Sequence, residues 1–106
     1  MTTAFVTAPP EAAEDLARTL VSERLAACVN RLDCRSVYRW EGEIRDDEEV
    51  ILLVKTTPER YPAVSDRIEE LHPYDVPCVE RFEEDDALSA FVSWREDATR
   101  PDGDGG

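Results

Sequence analysis

The chain has 106 residues, of which 25 are Asp or Glu and 12 are Lys or Arg, so its formal net charge is -13. This length suits one domain around one core, and so acidic a chain, without a basic stripe, disfavours nucleic acid as a partner. No apolar run approaches the ~18 residues of a membrane helix and no segment resembles a signal peptide, so we expect a soluble, cytoplasmic protein.

The cysteines and the scarcity of lysine add to this description. Cys28, Cys34 and Cys78 are odd in number and not closely spaced, which is typical of a reducing cytoplasm rather than of a disulfide framework. Lys55 is the only lysine. Such a surface suits either cation binding or a salt-rich cytoplasm, where the screening length shortens to about 3 Å at 1 M salt. Because the carboxylates are spread along the whole chain, we favour adaptation to salt, as in a halophilic organism.

The first predicted elements are a strand and a helix. Residues 3–7 form a short apolar strand, which ends at Pro9 and Pro10. From Glu11 the apolar residues recur at helical spacing, which predicts a helix. A proline near the first turn suits a helix start, because its missing N–H would have no partner there.

A long hairpin follows. Residues 28–40 and 43–57 each predict a long strand, joined at Glu41 and Gly42, because glycine tolerates the positive φ of a two-residue turn. If the turn is such a two-residue loop, it places Arg35 opposite Glu48 and Tyr38 opposite Arg45; a β-bulge would shift this register.

The remaining segment predicts a helix, a strand and another helix. Thr57 can cap a helix with Pro58 at its first position, and the prolines at 73 and 77 end it. Residues 76–82 predict the last strand, and the aspartates at 85 and 86 can cap a final helix that carries Phe91, Val92 and Trp94. We therefore expect one domain over residues 1–97 and a flexible acidic tail over residues 98–106.

This order, β-α-β-β-α-β with an additional C-terminal helix, is the ferredoxin-like α+β pattern, an antiparallel sheet with two helices on one face. The two hairpin strands, of roughly 13 to 15 residues, are far longer than the usual ~5–6. Their ends would leave unpaired edges in water, so we expect an oligomer held together through these strands.

Three segments carry a resemblance to a known family. They are Glu23-Arg24-Leu25-Ala26-Ala27-Cys28-Val29-Asn30, Tyr38-Arg39-Trp40-Glu41-Gly42-Glu43-Ile44 and Leu71-His72-Pro73-Tyr74-Asp75-Val76-Pro77. In this order and spacing they resemble the CutA family of divalent-cation tolerance proteins, over residues 5–94. The resemblance implies a homotrimer whose sheet extends across subunits, with clefts between subunits that the matching motifs line.

The residues implied for such a cleft are Tyr38, Trp40, Lys55, His72 and Tyr74. A lysine, a histidine and aromatic walls can hold an anion or a small metabolite. The aromatic residues are equally typical of a packed subunit interface, and both interpretations stay open. His72 by itself is more typical of a helix end than of a catalyst.

A metal site is the second candidate. Its possible ligands are Cys28, Cys34, His72, Cys78 and Glu80. Thiolate and imidazole suit copper or zinc, but no Cys-x-x-Cys spacing occurs, so distant segments or neighbouring subunits would have to assemble the site. Cys28 follows Ala26 and Ala27, and we expect its thiol in the apolar core.

The chain departs from the family pattern where a metal site would matter. Some similar proteins bind copper through a cysteine in the first strand, which Phe5-Val6-Thr7 lacks. The common Pro-Glu-Ile is Pro77-Cys78-Val79 here, and Glu84-Asp85-Asp86 stands where a glycine is usual. These departures weaken a transferred metal site and could create another, which pairs Cys78 with His72 or Glu80.

The residues favour a binding protein over an enzyme. The chain has no Gly-x-Ser-x-Gly elbow and no glycine-rich phosphate loop, so an activity at His72 and Lys55 is the least favoured hypothesis. We interpret the chain as a non-enzymatic homotrimer linked to tolerance of copper or another divalent metal ion. The alternative is a PII-like sensor or scaffold that binds a small molecule at the subunit cleft.

Overall fold

The structure, a computed structural model, describes residues 1–101 and confirms the predicted order of elements. The strands are β1 (Thr2–Ala8), β2 (Cys28–Trp40), β3 (Glu43–Thr56) and β4 (Cys78–Glu83). The helices are α1 (Pro10–Ser22), α2 (Tyr61–Leu71) and α3 (Ser89–Ala98). The strands form one antiparallel sheet in the order β2-β3-β1-β4, which is the ferredoxin-like α+β topology.

One face of the sheet carries the hydrophobic core, where α1 and α2 pack against β1 and β3. The core residues are Ala4, Val6, Ala8, Ala13, Leu16, Leu20, Leu25, Ala26, Val50, Leu52, Val54, Val64 and Ile68. Because successive side chains of a strand point to opposite faces, the residues between them lie on the other face, which we call the open face. The open face presents these partly or largely exposed apolar side chains: Phe5, Leu32, Ile51, Leu53 and Phe82.

Two tight connections use positive φ angles. Arg24, at φ 60°, reverses the chain after α1, and the N–H groups of Leu25 and Ala26 donate to the Leu20 carbonyl at 3.0 and 3.1 Å. This arrangement ends the helix and turns the chain toward β2 without a glycine.

In the hairpin, Glu41 and Gly42 have φ of 50° and 79°, as a two-residue type I′ turn requires. The predicted partners, Arg35 with Glu48 and Tyr38 with Arg45, are confirmed.

Three predicted boundaries are wrong by a few residues. α2 begins at Tyr61 rather than at Pro58, because a separate turn comes first, in which the Thr57 hydroxyl accepts the N–H of Arg60 at 3.3 Å. β4 begins at Cys78, after Pro77, whose nitrogen has no proton to give a sheet. α3 begins at Ser89, so neither aspartate of 85–86 caps it.

Arg95 is the buried residue of α3. Its side chain is 2% exposed, and Nη1 donates to the carbonyls of Thr2 at 3.1 Å and Thr56 at 3.3 Å and to the Glu84 carboxylate at 3.1 Å. These contacts attach α3 to the ends of β1 and β3.

Ala98 ends α3, and Thr99 is buried with its hydroxyl 2.8 Å from the Arg95 carbonyl. The predicted tail covers residues 98–106. Its residues 102–106 lie outside the described residues.

Candidate functional site

A cleft of about 570 Å³ opens on the open face, between the outer half of the β2–β3 hairpin and the segment of residues 73–78. Its lining residues are Thr7, Ser36, Tyr38, Trp40, Arg45, Glu49, Pro73, Tyr74, Asp75, Val76 and Cys78. The hairpin supplies one wall because Tyr38 and Arg45 are cross-strand partners on the same face. The prolines before and after residues 74–76 restrict the backbone of the other wall.

Two tyrosines in the cleft donate hydrogen bonds to carboxylates of β3. The Tyr38 hydroxyl lies 2.5 Å from Asp47 Oδ2, and the Tyr74 hydroxyl lies 2.9 Å from Glu49 Oε2. The bond to Asp47 raises the pKa of Tyr38, whereas burial first, and then the bond to Glu49, raises the pKa of Tyr74. Both phenols therefore stay protonated and keep donating throughout the neutral range.

His72 positions Tyr74 rather than lining the cleft. It is 7% exposed and ends α2, as predicted from the sequence. Nδ1 accepts the backbone N–H of Tyr74 at 3.1 Å, so the ring proton is on Nε2, which donates to the Thr7 carbonyl at 2.8 Å. Both nitrogens of His72 are thus engaged within the chain, and neither offers a free lone pair to a metal or a substrate.

Lys55 lies apart from the other residues predicted to share a site with it. It is six residues beyond Glu49 on β3, which corresponds to about 20 Å along an extended strand. Its Nζ lies 3.5 Å from Asn30 Oδ1. In one protomer the structure therefore brings together Tyr38, Trp40 and Tyr74, with His72 behind Tyr74.

Sequence reasoning missed Asp47 and Glu49. The signal that could have found them was the hairpin register, because Arg45, Asp47 and Glu49 occupy alternate positions of β3 on the face that carries Tyr38. Glu49 is only 5% exposed, although it is a carboxylate that lines a cleft.

The expectation for Cys28 was wrong. Its neighbour Val29 packs against the core, so Cys28 lies on the open face. The apolar residues before it suggested burial, but the alternation of β2 begins with Val29 as the inward residue.

Cys34 and Cys78 also lie on the open face. Cys34 Sγ is 3.9 Å from Ser36 Oγ, and Cys78 Sγ is 3.8 Å from Glu80 Oε1. Burial, followed by the charge of Glu80, raises the pKa of the Cys78 thiol. The two thiols lie on β2 and β4, the opposite edges of the sheet and about 14 Å apart by strand spacing. Within residues 1–101, no three His, Cys, Asp or Glu side chains gather as a metal-ion site.

The fold and the cleft define a class, a small ferredoxin-like protein with a long projecting hairpin and a concave site on its open face. The comparison with known families is more specific. The model of the CutA1 divalent ion tolerance protein family matches residues 2–98, and the chain belongs to this family.

Similar proteins come from distant organisms. The divalent-cation tolerance protein CutA of Pyrococcus horikoshii is 41% identical over 90 residues, which are 85% of this chain and 88% of that protein. A crystal structure of Pyrococcus horikoshii CutA1 has a TM-score of 0.90 at 39% identity and covers 94% of this chain and 99% of its own. The PII-like protein CutA of Nostoc, in its apo form, has a TM-score of 0.91 at 35% identity, with 94% and 98% covered.

The cellular location of the protein stays a prediction. None of the helices in residues 1–101 is long and apolar enough to cross a membrane. The similar structure from Archaeoglobus fulgidus, 33% identical with a TM-score of 0.90 over 94% of this chain and 100% of its own, is described as a periplasmic divalent cation tolerance protein.

Proposed function

We propose that the protein is a homotrimeric, non-catalytic binding protein of the cytoplasm that serves divalent-cation tolerance, with its ligand site in the cleft of the open face. The observation that carries this proposal is the apolar character of that face. Leu32 is 45% exposed and Phe82 is 48% exposed, and Phe5 stacks on Phe82 with ring centroids 5.5 Å apart. A contiguous apolar surface of this kind marks an interaction site.

The shape of one chain also supports an assembly. Its radius of gyration is 14.5 Å, compared with about 13 Å for a compact domain of this length. Its accessible surface is 6543 Å², compared with about 6,000 Å² for a monomer of this mass. The longest extent of the chain is 48 Å; the 14-residue strand β3 would span about 46 Å of it, and the core residues of β3 begin only at Val50. Neighbouring chains would cover both the hairpin and the open face, and the family resemblance sets their number at three.

Metal binding in this proposal depends on the same surface. Cys28, Cys34, Cys78 and Glu80 all occupy the open face. An assembly through this face therefore brings thiols of different chains into one interface, where soft ligands suit copper. Because His72 is fully engaged, we assign the metal to thiols rather than to imidazole.

The test is a calorimetric titration of reduced, metal-free protein with Cu(I), Cu(II) and Zn(II) in molar KCl, with the native mass measured in parallel. Saturation at a fixed ratio to the trimer, abolished by Cys78→Ser or Cys34→Ser, is the expected result. The control is Ser36→Ala, which removes a hydroxyl from the same face and keeps every thiol. Weak uptake that does not saturate and that the cysteine variants leave unchanged would contradict metal binding by thiols.

A second candidate function is a PII-like sensor that binds a small molecule without metal. The observation that favours it is the cleft, because a concave site of about 570 Å³ with aromatic walls is typical of small-molecule binding. Binding that persists in the presence of a metal chelator and is lost on a substitution in the cleft would favour this function over metal handling.

A further inference from the structure

We propose that neighbouring chains build a divalent metal site where their sheets meet edge to edge, from Cys34 of one chain and Cys78 and Glu80 of the next. This inference rests on the proposed trimer and its proposed metal binding, and it specifies the ligands, the number of sites and the kind of ion. It is carried by the complementary side chains of the two edges of the sheet.

The sheet of one chain has two edges, β2 and β4. Neither edge strand contains a fully buried residue. A strand at an edge presents backbone N–H and C=O groups that can pair with another strand. All neighbouring strands of the sheet are antiparallel, so β4 runs opposite to β2. In a ring of copies, β4 of one chain would therefore continue the sheet as the antiparallel neighbour of β2 in the next chain.

The charged side chains of the two edges select one register. On the face that carries the core, β2 presents Arg31, Asp33 and Arg35, and β4 presents Arg81 and Glu83. One register places Arg81 opposite Asp33. Glu83 then lies opposite Arg31, so both pairs join opposite charges. A shift of two residues in either direction instead places Arg81 opposite Arg31 or Arg35, where like charges destabilise the pairing.

The same register matches the side chains of the open face. It places Phe82, which is 48% exposed in one chain, opposite Leu32, which is 45% exposed. Both apolar side chains would therefore lose contact with water. Glu80 falls opposite Cys34, and Cys78, two residues before Glu80 on the same face of β4, falls diagonally from Cys34. A register shifted by one residue would set the open face of one chain against the core face of the next.

This placement brings three metal ligands together. Cβ atoms directly opposite each other on antiparallel strands are about 4.5–5.5 Å apart, and diagonal neighbours lie within about 7–8 Å. An ion bound about 2.3 Å from each sulfur and about 2.1 Å from a carboxylate oxygen fits between side chains at these spacings. Cys78 Sγ is already 3.8 Å from Glu80 Oε1 within one chain. Cys34 of the same chain lies on the opposite edge, about 14 Å from Cys78 by strand spacing, so the site is incomplete without a neighbour.

The ligand set favours Zn²⁺ over Cu⁺. Zn²⁺ accepts both thiolates and carboxylates, and three protein ligands leave the fourth tetrahedral position open. Cu⁺ is selected by soft sulfur ligands, so a carboxylate contributes little to its binding. Hard ions such as Mg²⁺ and Ca²⁺ prefer sites made of oxygen alone. The effect of removing the Glu80 carboxylate therefore distinguishes these ions.

The experiment titrates the reduced, metal-free full chain with Zn²⁺ in molar KCl by calorimetry, with the native mass measured in parallel. A second titration with Co²⁺ reports sulfur ligands through the thiolate-to-metal charge-transfer absorption. The variants are Cys34→Ser, Cys78→Ser and Glu80→Gln. The control is Cys28→Ser, which removes a thiol from the same face of β2, six residues or about 20 Å from Cys34.

We expect the wild type to bind about three ions per trimer, one at each contact between edges. Cys34→Ser and Cys78→Ser should each remove saturable binding and the charge-transfer band, with the trimeric mass unchanged. Glu80→Gln should weaken Zn²⁺ binding at least about tenfold, because losing even an outer partner of a metal ligand costs this factor. Cys28→Ser should bind as the wild type does.

Mixed trimers test directly whether the site spans two chains. Chains with Cys34→Ser and chains with Cys78→Ser are co-expressed, and mixed trimers are isolated through two different affinity tags. Each mixed trimer should regain about one ion, because one of its edge contacts joins an intact Cys34 to an intact Cys78.

Four results would each overturn the inference in a trimer that binds metal through thiols. They are one ion per trimer, no recovery in mixed trimers, equal binding by Glu80→Gln, and loss of binding in Cys28→Ser. A monomeric wild type, or uptake that no cysteine variant changes, would instead refute the proposed function itself, so the two failures are distinguishable.

Discussion

Arg95 offers a quantitative test of how α3 is attached to the sheet. Arg95→Met keeps most of the side-chain volume and removes three hydrogen bonds, two to backbone carbonyls and one to Glu84. Removing one partner of a buried ion pair costs about 3–5 kcal/mol. Glu84 is 26% exposed and keeps a hydrogen bond from the Thr3 hydroxyl. We therefore expect the lower end of this range, a loss of about 3 kcal/mol in the free energy of unfolding.

The pH dependence of the free energy of unfolding reports how much the Glu84 carboxylate, the partner of Arg95, contributes to stability. Burial by itself would raise the pKa of the Glu84 carboxyl. Hydrogen bonds from the Thr3 hydroxyl, from the backbone N–H of Glu84 and from Arg95, in that order, outweigh it and hold the pKa below the ordinary 4.5. A carboxyl whose pKa is lower in the folded state stabilises the fold above the unfolded pKa, and its contribution is lost as the pH falls through the folded pKa. Glu84→Gln should therefore show a smaller loss of stability than the wild type as the pH falls below about 4.5.

The assay is urea unfolding followed by circular dichroism, at one protein concentration for all variants because assembly contributes to the measured stability. Arg95→Lys is the conservative control. It keeps the charge and lacks the planar fork of donors, so we expect an intermediate loss. A loss below about 1 kcal/mol for Arg95→Met would refute the assigned role, since surface substitutions already produce changes approaching this size.

Three further predictions concern the turn, the phenols and the acidic surface. Glu41→Asn should stabilise the protein by about 0.5 kcal/mol in the same urea assay, because asparagine adopts positive φ more readily than glutamate; an equal or lower stability would contradict the type I′ turn. In an alkaline absorbance titration, Tyr38 and Tyr74 should ionise above pH 10, and any stability tied to their raised pKa should persist below about pH 10 and decline above it. Tyr38→Phe should remove one of these late transitions, and a chain in which every tyrosine ionises together near pH 10 would be inconsistent with the two hydrogen bonds. Stability should rise from low to molar KCl, because salt screens the repulsion within a chain of net charge -13; a thermal midpoint that does not change with salt would argue against salt adaptation.

The sequence predicted the hairpin in detail because two local signals agree there. Alternation fixes which side chains share a face, and Gly42 fixes the turn, so the partners of Arg35 and Tyr38 follow. The start of α2 could not be placed in the same way, since Thr57 and Pro58 suit a helix cap and a separate turn equally well. The burial of Arg95 depends on carbonyls 93 and 39 residues away in the chain, and helical periodicity carries no information about them.

The candidate site was predicted in part. The motifs supplied Tyr38, Trp40 and Tyr74, which the structure brings to one cleft. They also suggested Lys55 in a cleft between subunits; within one chain Lys55 lies apart from the other residues, and its place in such a cleft stays a prediction. The importance of Glu49 appears only when Tyr74 comes back across the sheet to donate to it, a contact between segments that local patterns do not relate.

The measurement that tests the central claim most directly is sedimentation equilibrium of the wild type and of Leu53→Asp, at micromolar protein in molar KCl. Leu53 lies in the middle of the open face, opposite Phe5 of β1 and Asn30 of β2. Val37→Asp is the control, because Val37 is 70% exposed on the other face of β2. The account predicts a trimer of about 36 kDa, three times the 12.0 kDa of one chain, for the wild type and the control. It predicts dissociation for Leu53→Asp. A wild type that sediments at 12.0 kDa, or a Leu53→Asp variant that stays trimeric, would contradict assembly through the open face.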